Sequence, residues 1–358
     1  MTLAATLAAQ ESAQESAQES EQAPAPAVAP PPLVQVENLR VRIKTPDVDV
    51  TLLHGLNFSL NQGEVLCLVG ESGSGKSITV RSLLRLLPPG AIVEGSIIVD
   101  GIDILALKPA QLRAVRGPLI AIAFQEPATS FDPAFTIGYQ IAETVRAHEQ
   151  VSWADATRRA QDLLELVQVP SAKRRLDAYP HELSGGLRQR AMIALALSCR
   201  PKLLIADEPT TALDATVQIQ VLLLLRELQR ELGMATVFVT HDVGVACEIA
   251  DQVAVMYSGR FVEMGPIERI IDAPRHPYTA GLLGSVVTPD VPGARLEPIP
   301  GAPPDPTALP PGCSFEPRCR VARPACAQAM PAFTQIAPLH QVRCVLAASG
   351  AAMGDIEK

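Results

Sequence analysis

The chain has 358 residues, 47% of them hydrophobic, so it is long enough for one large domain with appendages or for two domains. Its formal net charge of −8 gives no global reason to expect nucleic-acid binding. No apolar run approaches the roughly 20 residues that span a bilayer, and we expect no secretion signal, because the N-terminus lacks a basic segment followed by an apolar one.

The first 32 residues are predicted to form a disordered tail. They contain a short repeat at 11–20 and a stretch rich in Pro and Ala at 23–32, and neither can bury much apolar surface. Ordered structure is predicted to begin with strands in Leu33–Lys44. A further strand is predicted at Ala91–Asp100, where an Asp-Gly pair indicates a turn.

The most specific motif is Gly-Glu-Ser-Gly-Ser-Gly-Lys-Ser at residues 70–77, which matches the phosphate-loop pattern. The apolar segment Glu64–Val69 before it predicts a buried strand, and Ile78–Leu87 after it has helical spacing. A phosphate loop requires this strand–loop–helix context.

The residue types of this loop suit a triphosphate and its metal ion. The three glycines let successive backbone N–H groups face one anion, and the following helix adds the positive end of its dipole. Lys76 is predicted to reach the β- and γ-phosphates, and Ser77 to bind Mg²⁺. The predicted nucleotide-binding residues of the loop are Gly70, Glu71, Ser72, Gly73, Ser74, Gly75, Lys76 and Ser77.

Helices and strands alternate through the rest of the first 285 residues. This alternation around a phosphate loop predicts a mostly parallel α/β core. Helices are predicted at Ser152–Val169, Ala191–Cys199 and Thr216–Leu232, and strands at Leu203–Ala206, Thr236–Thr240 and Val253–Tyr257.

One of these strands ends in two acidic residues, Asp207 and Glu208. Asp207 at the strand end is suited to hold Mg²⁺, and Glu208, on the opposite side of the pleat, is suited to act as a general base toward the attacking water. A strand that ends in a charged turn is the simpler interpretation, but the phosphate loop favours the catalytic one.

Residues 183–190 read Leu-Ser-Gly-Gly-Leu-Arg-Gln-Arg and stand just before a predicted helix. Ser184 suits a helix N-cap, and Gly185 and Gly186 leave room for a phosphate at the helix N-terminus. Taken alone, this is a capped helix start. In this order it is the signature sequence of ATP-binding-cassette (ABC) proteins.

Together these motifs resemble a complete ABC ATPase from about Leu33 to Ser285. The resemblance implies an α/β phosphate-loop NTPase core with an antiparallel β subdomain and a helical subdomain at about 126–195. It implies ATP and Mg²⁺ as cofactors, with Ser77, Gln125 and Asp207 near the metal ion.

The resemblance also implies roles that the residues alone do not. Gln125 would be the Q-loop glutamine that senses Mg²⁺ and the γ-phosphate, Asp214 the D-loop aspartate, and His241 the switch histidine at the γ-phosphate. In this family ATP lies between the phosphate loop of one subunit and the signature of another. The signature residues that would complete the partner's ATP site are Ser184, Gly185, Gly186 and Gln189.

One departure from the family concerns the adenine. Many members stack it on an aromatic residue ahead of the phosphate loop, but Leu33–Asn57 contains no Phe, Tyr or Trp. We expect the adenine to be held by weaker apolar contact, from a stretch near Asp47–Thr51, and this departure leaves the choice between ATP and GTP open.

Residues 286–358 change in character and are predicted to form a loop-rich, metal-binding C-terminal region. Arg275–Thr279, Ile299–Gly301 and Gly312–Cys319 resemble segments of oligopeptide and dipeptide importer ATPases, with Ser314 where Pro is usual. Within that family the chain resembles the D-type subunit. The resemblance implies a peripheral position on the cytoplasmic face of the inner membrane, an F-type ATPase partner, two permease subunits, a peptide-binding protein and no nucleic acid.

Four of the seven cysteines, Cys313, Cys319, Cys326 and Cys344, lie in this region. Their gaps of five, six and seventeen residues contain no Cys-x-x-Cys pair, so an ordinary zinc ribbon fits poorly. Four thiolates are suited to a [4Fe–4S] cluster, and the family resemblance supports one. A Zn²⁺ site and four unliganded thiols remain the alternatives.

Three other functions are weighed against peptide import. The same machinery serves other cargo, such as nickel or glutathione, and the ATPase sequence says little about that choice. A soluble ABC ATPase of translation or DNA repair usually carries two cassettes or a long coiled-coil insertion, whereas this chain has a single phosphate loop. An unrelated phosphate-loop kinase or GTPase would leave the signature unexplained.

Overall fold

The computed structural model describes residues 31–46, 48–126, 130–211, 213–285 and 298–347. Most of the predicted N-terminal tail lies outside the described residues, as do Asp47, Ala212 and both ends of the predicted C-terminal region. Among the described residues, no helix combines the length and the apolar character needed to cross a membrane.

A four-stranded antiparallel sheet, in the order β2-β1-β4-β5, is built from the first part of the chain. The strands predicted at Leu33–Lys44 and Ala91–Asp100 belong to it, whereas β2 occupies a segment for which the pattern predicted no strand. The strands are β1 (Val34–Lys44), β2 (Asp49–Leu60), β4 (Ala91–Val99) and β5 (Ile102–Asp103).

An eight-stranded mixed sheet, in the order β11-β12-β10-β9-β3-β8-β7-β6, carries the candidate site. The five strands from β9 to β6 pair in parallel, and β10, β11 and β12 add antiparallel pairs. Strands β3, β7 and β8 are buried along their whole length, which explains their unbroken apolar sequences. The strands are β3 (Val65–Val69), β6 (Ile120–Ala123), β7 (Leu203–Asp207), β8 (Ala235–Thr240), β9 (Gln252–Tyr257), β10 (Arg260–Pro266), β11 (Thr334–Ala337) and β12 (His340–Val342).

The helices agree in type with the sequence prediction and differ mainly at their ends. Helix α1 stops at Leu83, before the predicted Leu87, because Arg85 takes a positive φ of 50° and two prolines follow. The helices are α1 (Lys76–Leu83), α2 (Pro109–Val115), α3 (Ile137–His148), α4 (Trp153–Leu166), α5 (Ala172–Arg175), α6 (Gly185–Leu197), α7 (Ala215–Leu232), α8 (Val243–Ile249), α9 (Ile267–Asp272), α10 (Pro277–Gly284) and α11 (Pro324–Gln328).

Helices α3 to α6 follow one another in the chain between β6 and β7. This is the segment, about 126–195, where the helical subdomain is predicted, although 127–129 lie outside the described residues. Buried apolar side chains of α3, α4 and α6 belong to the same cluster as those of β3 and β7. The helical segment is therefore packed into one continuous core with the sheet.

The C-terminal region extends the same sheet as the phosphate loop. Strand β12 pairs with β10, with Glu263 opposite Val342. The fully buried carboxylate of Glu263 accepts hydrogen bonds from the backbone N–H of Arg275 and His276 (2.8 and 2.9 Å) and from Nε2 of His340 (2.8 Å). A buried carboxylate satisfied in this way ties β10, the start of α10 and β12 together.

Candidate functional site

The phosphate loop lies between β3 and α1 and packs closely on the β9–β10 hairpin. A Cβ atom added to Gly70 would lie 2.3 Å from the carbonyl oxygen of Met256, so only glycine fits there. The backbone N–H of Gly259 donates to the carbonyl of Ser74 (2.8 Å). The hairpin therefore fixes the path of the loop.

Lys76 lies inside the loop rather than in solvent. Its side chain is buried, and Nζ donates to the carbonyl oxygens of Gly70 (2.7 Å) and Glu71 (3.0 Å). Burial lowers the pKa of Lys76, while the nearby carboxylates of Glu208 and Asp207 favour its charged form. The ammonium group is thus held at the inner surface of the loop, where it can meet phosphate oxygens.

Asp207 and Ser77 form the oxygen donor set predicted for Mg²⁺. Ser77 Oγ donates to Asp207 Oδ1 (3.1 Å), and Asp207 is almost fully buried at the end of β7. Burial is the main reason that the pKa of Asp207 is raised. Its second oxygen, Oδ2, is buried and has no hydrogen-bond partner among the described residues. An unpaired buried carboxylate oxygen beside a hydroxyl fits a hard cation that prefers oxygen ligands, such as Mg²⁺.

The carboxylate of Glu208 is the point where three other side chains meet. Its Oε2 accepts from Nε2 of Gln125 (3.0 Å) and from Oγ1 of Thr211 (3.1 Å), and it lies 3.4 Å from Nδ1 of His241. The sequence predicted three of these four residues for the site and missed Thr211, which carries no motif of its own.

Backbone geometry also distinguishes Glu208. Its φ is +48°, an unusual value for a residue other than glycine, and it directly follows the last residue of β7. Backbone strain of this kind is concentrated at functional sites. The side chain is only 14% exposed, so its orientation is set by packing and by its three polar neighbours.

Several of these residues, though neither Asp207 nor Thr211, line one cavity of about 780 Å³. The phosphate loop from Glu71 to Ser77 contributes to it, together with Gln125, Glu208 and His241. No signature residue is among the described residues that line this cavity. The structure thus brings the predicted phosphate, Mg²⁺ and switch residues of one chain together and leaves its signature elsewhere.

The predicted signature begins helix α6. Ser184 is its N-cap and accepts from the backbone N–H of Leu187. Gly186 lies close to helix α7, because an added Cβ would be 2.6 Å from Val217 Cγ1. Gly185 is more open, and Gln189 is buried. Close packing of the two helices thus favours a small residue at position 186, whatever else the segment binds.

Asp214 is the N-cap of helix α7, where Oδ1 accepts from the backbone N–H of Val217 (3.1 Å). A capping aspartate at a helix N-terminus stabilises the helix by roughly 1 kcal/mol. The predicted D-loop residue therefore has a structural role in this chain in addition to any role toward a partner.

An ion pair that the sequence did not predict ties the phosphate loop to the C-terminal region. The guanidinium of Arg318 donates to both carboxylate oxygens of Glu71 (2.7 and 2.9 Å) and to the Tyr257 hydroxyl (3.2 Å). The hydroxyl of Tyr278 accepts from the backbone N–H of Glu71 (2.8 Å). Glu71 is thus held by residues far away in sequence. Tyr278 and Arg318 lie in two of the segments that resemble importer ATPases, but that resemblance predicted no contact with Glu71.

The four tail cysteines meet around one small cavity. Cys313, Cys319, Cys326 and Cys344 all line a space of about 20 Å³, room for roughly one water molecule. Burial raises the pKa of Cys319 to about 11 and also raises those of Cys313 and Cys344. Within the described ranges, no group of three or more His, Cys, Asp or Glu side chains is placed to hold a metal ion. The thiols converge, but they form no ready site for the predicted cluster or for Zn²⁺.

Comparison with protein families gives two matches along the chain. A family model described as ABC transporter matches residues 53–211. A second, described as oligopeptide/dipeptide transporter, C-terminal region, matches residues 262–326. The first match contains the phosphate loop, the signature and Glu208, and the second contains Arg318 and three of the four tail cysteines.

Similar proteins include the oligopeptide transport ATP-binding protein OppD of Haemophilus influenzae. It is 49% identical over 295 residues, which cover 82% of this chain and 91% of that protein. OppD of Salmonella typhimurium is 48% identical over 299 residues, covering 84% and 89%. Among solved structures, a dimeric ATP-binding cassette in a post-hydrolysis state, bound to ADP and Pi, matches with a TM-score of 0.59 and 28% identity. That match covers 65% of this chain and 98% of the cassette.

Proposed function

The chain belongs to the ABC transporter ATPases of the oligopeptide/dipeptide group, and on that premise we propose that it hydrolyses ATP to drive the uptake of di- and oligopeptides. The peptide cargo is supported by what its relatives are named for and by the C-terminal region that they share. The single observation that carries the ATPase assignment is the convergence of Gln125, Thr211 and His241 on the carboxylate of Glu208 beside the phosphate loop.

In the proposed mechanism, the phosphate loop and Lys76 bind the β- and γ-phosphates, and Ser77 and Asp207 hold Mg²⁺. A Mg²⁺ ion held by these two residues would neutralise charge on the phosphate oxygens. Glu208 takes a proton from the attacking water, with Gln125 and Thr211 orienting its carboxylate by hydrogen bonds. His241, whose Nδ1 lies 3.4 Å from the Glu208 carboxylate, is proposed to sense the γ-phosphate.

The signature is proposed to act on a second ATPase subunit. This assignment is supported by the separation of Ser184, Gly185, Gly186 and Gln189 from the residues that line the chain's own cavity. The matching cassette structure is described as dimeric. Following the predicted pairing, we propose an F-type ATPase as the partner, with Asp214 near their contact.

The remaining partners are two permease subunits and a peptide-binding protein. On this proposal the chain is a peripheral subunit on the cytoplasmic face of the inner membrane. Co-purification of the tagged chain with hydrophobic permease subunits, followed by peptide uptake measurements in cells with and without it, tests both the assembly and the cargo. Uptake that is independent of the chain would contradict the proposed cargo.

The sharpest test of the mechanism is Glu208→Gln in the assembled complex. Glutamine keeps the shape of the side chain but cannot accept the water proton, so we expect ATP binding to be retained and turnover to fall by about 10²–10⁴-fold. Glu231→Gln, an exposed change on α7, is the matched control and should leave turnover unchanged. Turnover near that of the unmodified complex would show that Glu208 is not the base.

The proposal also includes a metal centre in the tail. Support comes from the convergence of four thiols, and a [4Fe–4S] cluster is the first candidate, ahead of Zn²⁺ or free thiols. Because the space between the thiols is about 20 Å³, binding a cluster requires them to move apart. Anaerobic purification with iron, sulfide and zinc analysis tests this. Iron and sulfide in stoichiometric amounts, lost on Cys326→Ser, would support the cluster. The absence of both iron and sulfide would refute it.

A further inference from the structure

The nucleotide cavity is lined partly by a segment from the C-terminal region. Four residues of 303–309, namely Pro303, Pro304, Pro306 and Leu309, face the same cavity of about 780 Å³ as the phosphate loop. We call residues 303–309 the proline strap. This segment stands about 230 residues from the phosphate loop in sequence and lies within the matched C-terminal family region.

We propose that the proline strap forms the nucleobase subsite of the ATP cavity. The proposal rests on the proposed function, because it takes the cavity to be the ATP site. The phosphate loop fixes where the triphosphate lies, so the base must extend into another part of the same space. The strap supplies an apolar surface there.

The chemistry of the strap suits the face of a purine base rather than its edge. Proline has no backbone N–H to donate, and Pro and Leu side chains offer only apolar contact. Thr51, Leu52 and His54 of β2 line the cavity as well. The His54 ring is half-buried, and burial lowers its pKa to about 4, so it presents a neutral ring. The strap would therefore supply the contact with the base that an aromatic residue makes in other family members and that Leu33–Asn57 lacks.

Internal hydrogen bonds hold the strap in one conformation. Oδ1 of Asp305 accepts from both the backbone N–H and the hydroxyl of Thr307 (2.7 Å each), and the N–H of Ala308 donates to the Asp305 carbonyl (3.0 Å). Three prolines restrict φ in the same segment. A surface ordered before the ligand arrives loses less entropy on binding.

Arg318 links the strap to the phosphate loop. Its Nε donates to the carbonyl of Pro300 (2.8 Å), three residues before the strap, while the rest of its guanidinium holds the Glu71 carboxylate. One buried side chain thus sets the distance between the triphosphate-binding loop and the base-binding segment. Arg318 is a positioning residue in this arrangement and does not touch the base.

The test compares a ligand that has a base with one that has none. Binding of Mg²⁺–ATP and of Mg²⁺–tripolyphosphate to the full chain is measured by calorimetry, for the unmodified protein and for Leu309→Ala. Truncating Leu309 removes apolar contact with the base, and we expect about fivefold weaker ATP binding with tripolyphosphate binding unchanged. Pro311→Ala, at an exposed position that does not line the cavity, is the matched control and should alter neither.

Unchanged ATP binding in Leu309→Ala would overturn the proposal. Equally weakened binding of ATP and tripolyphosphate would also overturn it, because the strap would then act on the phosphate loop and not on the base. Hydrogen exchange on the unmodified chain gives an independent measurement if the variant does not fold. We expect the amides of Thr307 to Leu309 to be protected by ATP and not by tripolyphosphate. Equal protection by both would contradict the subsite. Failure of the proposed function is distinct, because the unmodified chain would then bind neither ligand.

Discussion

Replacing Arg318 by methionine should destabilise the protein far more than replacing any exposed arginine. The guanidinium is about 5% exposed and makes two bonds to the Glu71 carboxylate, one to the Tyr257 hydroxyl and one to the Pro300 carbonyl. Methionine keeps much of the length and apolar character of the side chain. The change therefore isolates the loss of charge and of the hydrogen bonds.

The size of the stability loss in Arg318→Met depends on the Glu71 carboxylate, which is left without its partner. Removing one partner of a buried ion pair costs about 3–5 kcal/mol, because the other charge stays buried. The Glu71 side chain is 27% exposed and can turn toward water, so the loss should be nearer ~2–3 kcal/mol in the free energy of unfolding. If Glu71 is also changed to glutamine, no charge is left unpaired, and the second change should cost less than it does alone.

A double-mutant cycle measured by urea denaturation checks this reasoning. The set consists of the unmodified protein, Arg318→Met, Glu71→Gln and the double variant, and we expect a coupling free energy of about 1 kcal/mol or more. Arg158→Met is the matched control, since its pair with Asp155 is 70% and 55% exposed and should contribute less than ~0.5 kcal/mol. Strict additivity, or equal losses for Arg318→Met and Arg158→Met, would refute the argument.

Two further predictions concern the loop and the acid side of the pH range. Gly70→Ala should abolish nucleotide binding, because the added Cβ would lie 2.3 Å from the Met256 carbonyl oxygen. Gly284→Ala is the control and should bind nucleotide like the unmodified protein, because its added Cβ would have no neighbour within 4 Å. Equal binding by the two variants would contradict the steric reasoning. Burial lowers the pKa of His276 from 6.5 to about 4, so the unfolded chain binds the extra proton first and stability should decline as the pH falls from about 6.5 toward 4. His276 is the N-cap of α10, where its Nδ1 accepts from the backbone N–H of Tyr278 (3.0 Å), and asparagine can keep this role. Between about pH 7.5 and 5, His276→Asn should therefore lose roughly 2 kcal/mol less stability than the unmodified protein, measured by denaturation at each pH. Parallel losses in the two proteins would refute the assignment.

Short-range patterns carried the parts of the fold that the sequence predicted well. The phosphate loop, the N-cap Ser184 and the strand that ends at Asp207 each depend on residues within one turn or one strand of one another. Such features are decided by local chemistry, by which a serine or an aspartate satisfies the first free N–H groups of a helix. They could be read without knowing the rest of the chain.

The contacts that sequence reasoning missed join distant segments. Arg318 and Glu71 are 247 residues apart, and neither residue type at its position predicts the other. A stretch rich in proline, such as 303–309, indicates only irregular structure until its neighbours are known. The unusual φ of Glu208 is likewise imposed by the surrounding packing and has no local signature.

The pairing of β12 with β10 has a practical consequence for fragment design. A shortened protein that stops at Ser285 would expose the edge of β10, and unprotected strand edges promote aggregation. It would also strip His340 from the buried carboxylate of Glu263 and remove the cation that holds Glu71. A minimal fragment of this ATPase should therefore extend at least to Val342, because the C-terminal region that looks dispensable covers the edge of β10 and holds the phosphate loop in place.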